Sequence, residues 1–227
     1  MKKTLLFVGA LLISAMSFGE IVVTAGGDGA KTVLSSYNNE EKAFTVSDVE
    51  FGYIGAQYNG AGSPKIKIDE VSYEPAKQSF IQLRKFAEGG NPAGAIWNNA
   101  EIGIKTITVL QQNEKNFKLS AGDAKDALAE IAKPEATTVK KTITLKDESS
   151  LEIEVHQFVF NLNGKKFFKI ENVDNNTIYL HSIVIDDSAT AIENAVIAPK
   201  AVKLIENGQL VIIRDGVRYN SVGQVIE

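Results

Sequence analysis

Between Glu20 and Asp187 apolar and polar residues alternate with a period of two, the spacing at which side chains of an extended strand face opposite ways. LEIEV (151–155) shows it most cleanly, with Leu151, Ile153 and Val155 on one face and Glu152 and Glu154 on the other. KIKID (65–69), IKTITVL (104–110) and TVKKTITL (138–145) repeat it, as a sheet with one solvated face requires. Further strands are predicted over Ile21 to Thr24, Phe44 to Val46, Phe80 to Leu83, Lys166 to Ile170 and Thr177 to Ile185. Turn-forming clusters separate them: AGGDG (25–29), NGAGSP (59–64), EGGNPAG (88–94), NLNG (161–164) and DNN (174–176). Short strands at these intervals predict an antiparallel sandwich or barrel. AGDAKDALAEIAKP (121–134) breaks the pattern. Its helix formers, acid-rich start and closing proline predict one short helix.

The last stretch, NGQLVIIRDGVRYNSVGQVIE (207–227), has its own rhythm. Asn207-Gly208 and Asp215-Gly216 are preferred two-residue hairpin turns, since both central residues need positive φ. With AVKLIE before and VRYNS after, QLVIIR becomes the middle strand of a three-stranded meander. A ribbon that small is marginal alone.

At the other end, Lys2 and Lys3 precede an apolar run from Leu5 to Ile13, and small residues follow at Ser17 and Gly19. That order predicts a signal peptide over 1–19, cut after Gly19 or alternatively Ser17, because so short a run cannot span a bilayer. No other transmembrane run is present. Composition adds two exclusions. A net charge of −4 with no basic cluster argues against a nucleic-acid partner. The absence of cysteine excludes disulfides, thiolate metal sites and a lipid-anchored cysteine. With 44% hydrophobic residues the chain has material for a real core.

Two segments resemble known families. FIQLRKFAEGGNPAGAIWNNAEIGIKTITV (80–109) and FFKIENVDNNTIYLHSIVI (167–185) resemble secreted proteins of bacteria that use type IX secretion. The shared elements are the Gly-x-Ile-x-Asn strand from Gly94 to Asn98, Ile104 to Val109, and Phe168 to Asn172 with Tyr179 to Ile185. Such domains are similar to galactose-binding-like jelly rolls, which implies that fold and, in many members, a structural calcium. The tail resembles the C-terminal sorting signal of type IX cargo at Asn207, Gly208, Leu210, Ile212, Gly216, Tyr219, Asn220, Gly223 and Gln224. It departs at Glu227, an acid where that variant commonly ends on a base. The resemblance implies the type IX machinery as partner and the outer surface or the medium as destination.

Chemistry in the body has few candidates. His156 and His181 both fall in strand patterns: His181 shares a face with Tyr179, Ile183 and Ile185, while His156 marks a change of phase that a bulge would explain. No Gly-x-Ser-x-Gly or His-Glu-x-x-His motif accompanies them. Asp69-Glu70, Glu152/Glu154 and Asp186-Asp187 are the acid sets a glycosidase would need, though a solvated sheet face accounts for Glu152 and Glu154. Asp186 or Asp187, with Asp174 or Asp28, could ligate calcium. Sugar sites combine an aromatic platform with amides and carboxylates. Trp97 with Asn98, and Tyr53 with Tyr58 and Asn59, offer that chemistry, packing within a strand being the plainer role for Trp97.

The sequence thus predicts an all-β, jelly-roll-like antiparallel sandwich over 20–187 with one short helix. A linker over 188–199 and a sorting tail over 200–227 follow it. The function expected is a non-catalytic exported binding module with a glycan ligand. A structural or adhesive envelope subunit, and a glycan-active hydrolase, are the competing classes.

Overall fold

The computed structural model describes residues 20–27, 34–85, 91–187, 202–206, 209–214, 217–219 and 224. The predicted signal peptide, the 188–199 linker and Asp28 lie outside them. The chain divides into two units, Met1–Ala189 and Thr190–Glu227.

The described part of the first unit is all-β and sandwich-like. Its strands are β1 (Glu20–Val23), β2 (Lys42–Val46), β3 (Val49–Ile54), β4 (Ala56–Tyr58), β5 (Ile66–Ile68), β6 (Val71–Tyr73), β7 (Ile81–Leu83) and β8 (Ala95–Asn98). They continue with β9 (Ile104–Gln111), β10 (Phe117–Gly122), β11 (Ala129–Ile131), β12 (Thr137–Thr144), β13 (Ser150–Lys165), β14 (Phe167–Asn172) and β15 (Ile178–Asp187). A seven-stranded sheet runs β12-β13-β9-β15-β7-β4, with β1 also on β15, and a six-stranded sheet runs β11-β10-β14-β8-β3-β2. Strands β5 and β6 form a separate hairpin. Both sheets feed one core, in which Ile107, Phe160 and Ile183 of the first meet Phe51, Ile96 and Phe168 of the second. Each such side chain withdrawn from water contributes about 1.5–3 kcal/mol.

A second, smaller core lies on the other face of the seven-stranded sheet, where Ile66 of β5 joins Phe80, Leu110, Ile143, Ile153 and Val155. This explains the phase change at His156. Pairing of β13 with β9 runs unbroken from His156 to Asn161, so no bulge lies there. Ile153 and Val155 belong to the small core, whereas Phe158 and Phe160, on the opposite face, belong to the large one. One strand is covered first on one side and then on the other.

The bulges occur elsewhere. Register slips between Asn161 and Lys165 of β13, and between Leu180 and Ser182 of β15. The second slip corrects the face expected for His181. Leu180 and Ile183 both enter the large core, so His181 turns outward with Tyr179 and away from Ile183 and Ile185. Both rings pack edge-on against Phe80, at 6.4 Å each. The short helix predicted over 121–134 is also absent. Ala121 and Gly122 finish β10, a turn follows, and Ala129–Ile131 returns as β11 beside β10. Leu119 and Ala121 alternate into the core, so the segment follows the sheet's period rather than its own helix propensity.

The second unit is an antiparallel meander of β16 (Val202–Glu206), β17 (Gln209–Arg214) and β18 (Val217–Tyr219). Leu210 stands opposite Ile205, and Ile212 lies between Lys203 and Tyr219. Gln224 is exposed. Asn207, Gly208, Gly216, Asn220 and Gly223 lie outside the described residues.

Burial, and then the Lys141 ammonium, hold the His181 pKa below its ordinary 6.5. The unfolded chain therefore binds the proton more readily than the folded one. The contribution is fully present above the unfolded value and is lost as pH falls through it. The urea midpoint should drop between about pH 7.5 and about pH 5.5, and His181→Gln should flatten part of that drop. Equal drops in parent and variant would contradict the assignment.

Candidate functional site

The polar positions singled out in the sequence separate into two kinds: those that hold the backbone and those that face solvent. Asn98 is of the first kind and is buried. Its Oδ1 accepts the Phe168 N–H at 2.7 Å, and its Nδ2 donates to the carbonyls of Ala100 at 2.7 Å and Lys166 at 2.8 Å. Asn59 does the same at the end of β4, accepting from Phe80 at 2.7 Å and donating to Gly60 and Ala76. Asn172 accepts from Asp174 at 2.7 Å and donates to Leu83, Arg84 and Asn176. All three side chains are spent on backbone groups. Asn98 also lines the groove beside Trp97, with its amide already bonded to backbone.

Tyr53 is also interior, packed against Phe44 in the large core with its hydroxyl near the Asn38 amide at 3.4 Å. It offers no platform. Tyr58 is half-buried under the Lys77 ammonium, 5.1 Å from the ring centroid. The two tyrosines do not form one surface group.

Trp97 is different. Its neighbours on β8, Ile96 and Asn98, are buried, and Trp97 points outward from the six-stranded sheet. The residue paired with it on β3 is Gly52, and a Cβ there would lie 2.3 Å from the indole Cε2 and Nε1. The ring thus lies across the glycine, and any larger residue would displace it. Its Nε1–H donates to Asn99 Oδ1 at 3.0 Å, and Asn99 in turn donates to Glu50 at 2.8 Å. A groove of about 180 Å³ opens beside the indole, lined also by Glu41, Asn98, Lys125, Leu128, Phe167, Phe168 and Lys169. Lys169 is the residue opposite Trp97 on β14. Lys125 lies over the Phe167 ring at 5.6 Å. Lys125 and Leu128 come from the segment predicted as helix, which instead loops over the groove. An aromatic floor with ammonium, carboxylate and amide groups around it can stack a flat apolar face and bond hydroxyls at its rim.

Of the acids, Asp69, Glu152 and Glu154 line one cavity of about 500 Å³ together with Lys67 and Lys140. Asp69 and Glu70 are the two positive-φ residues (47° and 67°) of the β5–β6 turn. Glu152 pairs with Lys140 at 2.8 Å on the exposed side of β13. Backbone hydrogen bonds, the Asn116 N–H first, hold Asp174 below the usual carboxylate range, and a general acid needs the reverse. The same bonds occupy both Asp174 oxygens, with Asn116 at 3.1 Å and Asn176 at 2.9 Å. Asp186 stands in β15 between Glu20 and Thr106, and Asp187 pairs with Ile104. Among the described residues no three His, Asp or Glu lie close enough to hold a metal ion, and Asp28 lies outside them. No helix among them is long and apolar enough to cross a membrane.

The chain matches no protein-family model, no characterised protein of similar sequence and no solved structure.

Asn98→Ala should lower the unfolding free energy by about 2–4 kcal/mol, because it leaves the buried Phe168 N–H without an acceptor. Urea denaturation measures it. A loss below about 0.5 kcal/mol would mean that the amide is free for another role.

Proposed function

We propose that the chain is an exported, non-catalytic binding module whose ligand is a carbohydrate, held in the Trp97 groove on the outer face of a jelly-roll-like sandwich. One observation carries this reading: the chain's single tryptophan faces outward over Gly52, beside a groove with a charged rim. A ring over a cross-strand glycine also serves strand packing, so it is the charged groove beside it that favours a ligand. A sugar ring needs a flat aromatic face, with Lys125, Lys169 and Glu41 placed to bond its hydroxyls. Asp69 and Glu70 form a turn and Glu152 is paired with Lys140, which favours binding over hydrolysis at those acids.

The tail is proposed as the address that delivers this module through type IX secretion to the outer surface or the medium, after a signal peptide over 1–19. Its support is the sorting-signal pattern together with the meander, a compact unit of its own.

On a glycan array the full-length chain should bind a restricted set of saccharides, and Trp97→Ala should weaken that binding about tenfold or more. A chain that binds nothing, or a variant that binds as well as its parent, contradicts the reading. In a type IX-competent host, deletion of 200–227 should abolish surface delivery while the body stays folded. Unchanged delivery would remove the sorting role.

A further inference from the structure

The opposite sheet carries a second polar site that no sequence pattern indicated. Gln57 of β4, Gln82 of β7 and Tyr179 of β15 stand directly opposite one another in the ladder. They face away from the large core, which Ile81 and Leu83 enter from the other side of β7. Tyr37, from the segment before β2, lies against this row. Its hydroxyl donates to Gln82 Oε1 at 3.3 Å, and Gln57 Nε2 donates to the same oxygen at 2.7 Å. Burial pushes the Tyr37 phenol up, so it remains a donor.

These two bonds fix the Gln82 amide. With Oε1 held by two donors, Nε2 must point the other way, and its N–H groups meet no acceptor among the described residues, although Gln82 is only 6% exposed. That nitrogen stays within reach of water, so a ligand oxygen can take the water's place. Just past the end of β7, the Arg84 guanidinium stacks on the Tyr37 ring at 4.8 Å and gives one bond to Asn39 Oδ1 at 2.6 Å. Arg84 has no carboxylate partner among the described residues. Its backbone is clamped, the N–H to Gly55 and the carbonyl to Gly94 and Asn172, so the side chain starts from a fixed point. The cluster offers donors, a cation and two phenol rings, and contains no acid.

We infer that Tyr37, Gln82 and Arg84 form a second ligand site, for a carboxylate-bearing sugar such as a uronic acid. The guanidinium takes the carboxylate through paired N–H donors, the Gln82 amide donates to a ring or hydroxyl oxygen, and the tyrosines flank the sugar. The site shares no residue with the Trp97 groove, so either can fail without the other.

The test is an NMR titration of the full-length chain with D-glucuronate and, separately, with D-glucose, following the Gln82 side-chain amide. Glucuronate should shift that amide saturably and glucose should not. Arg84→Lys, which keeps the charge and removes the fork, should weaken glucuronate by at least about tenfold, whereas Trp97→Ala should leave it unchanged. The inference is overturned by equal responses to the two sugars, by no response to glucuronate, or by Arg84→Lys binding like the parent. Tyr37→Phe, which removes the hydroxyl and keeps the ring, should also weaken glucuronate, by releasing the Gln82 amide. A Tyr37→Phe chain that binds as the parent does would show that the amide takes no part.

Discussion

Three buried asparagine side chains close the loops of this sandwich, and the placement of every outward-facing group near them depends on those amides. A sheet satisfies its own backbone only where strands pair, and each strand end leaves N–H and C=O groups that must find partners or water. Asn59, Asn98 and Asn172 each end a strand or follow one directly. Each accepts a backbone N–H at 2.7 Å and returns its own N–H groups to backbone carbonyls. Asparagine suits the task because one short side chain carries both an acceptor and a donor pair. Asn172 reaches across to Leu83 and Arg84, and Gly94 bonds both Arg84 and Asn172 through its backbone. A Cβ at Gly94 would lie 2.4 Å from the Arg84 nitrogen, so the close approach that this network needs requires glycine.

With the loops fixed, both faces of the sandwich become dependable supports. Asn98 anchors the end of β8, and Trp97 beside it is thereby held with its indole across Gly52. Asn172 and Gly94 clamp the backbone of Arg84, whose side chain stacks on Tyr37 on the opposite sheet. Trp97 is the sequence neighbour of Asn98, and the Arg84 carbonyl accepts from the Asn172 amide. Those links tie the two proposed sites to the rigidity of the fold.

The regular strands were legible in the sequence wherever one face stays covered. LEIEV, IKTITVL and TVKKTITL alternate because one face of each is apolar throughout. The long β13 was legible only as far as Val155, because beyond it the covered face changes from the small core to the large one. The face of His181 was misjudged because one inserted residue reverses every side chain after it, and a bulge leaves no mark in a two-residue period. The segment 121–134 reads as helix on propensity, yet its cross-strand partners on β14 override that preference. Of the candidate site, Trp97 could be named from sequence, but the glycine opposite it lies 45 residues away and is placed there only by strand pairing. Tyr37, Gln82 and Arg84 were invisible for the same reason. The asparagines were legible as polar positions, but their bonds to backbone groups from distant strands were not, because only the fold brings those groups together.

The central claim is that the Trp97 groove takes the ligand. Because Trp97 is the only tryptophan in the chain, its fluorescence reports on that groove alone. The direct measurement is a titration of the full-length chain with a saccharide it retains, following indole emission and the protection of that emission from acrylamide. The account predicts a saturable change in emission and reduced quenching, with the midpoint of binding measured by calorimetry. Calorimetric binding of the same saccharide with unchanged emission and unchanged quenching would place the ligand elsewhere and contradict it.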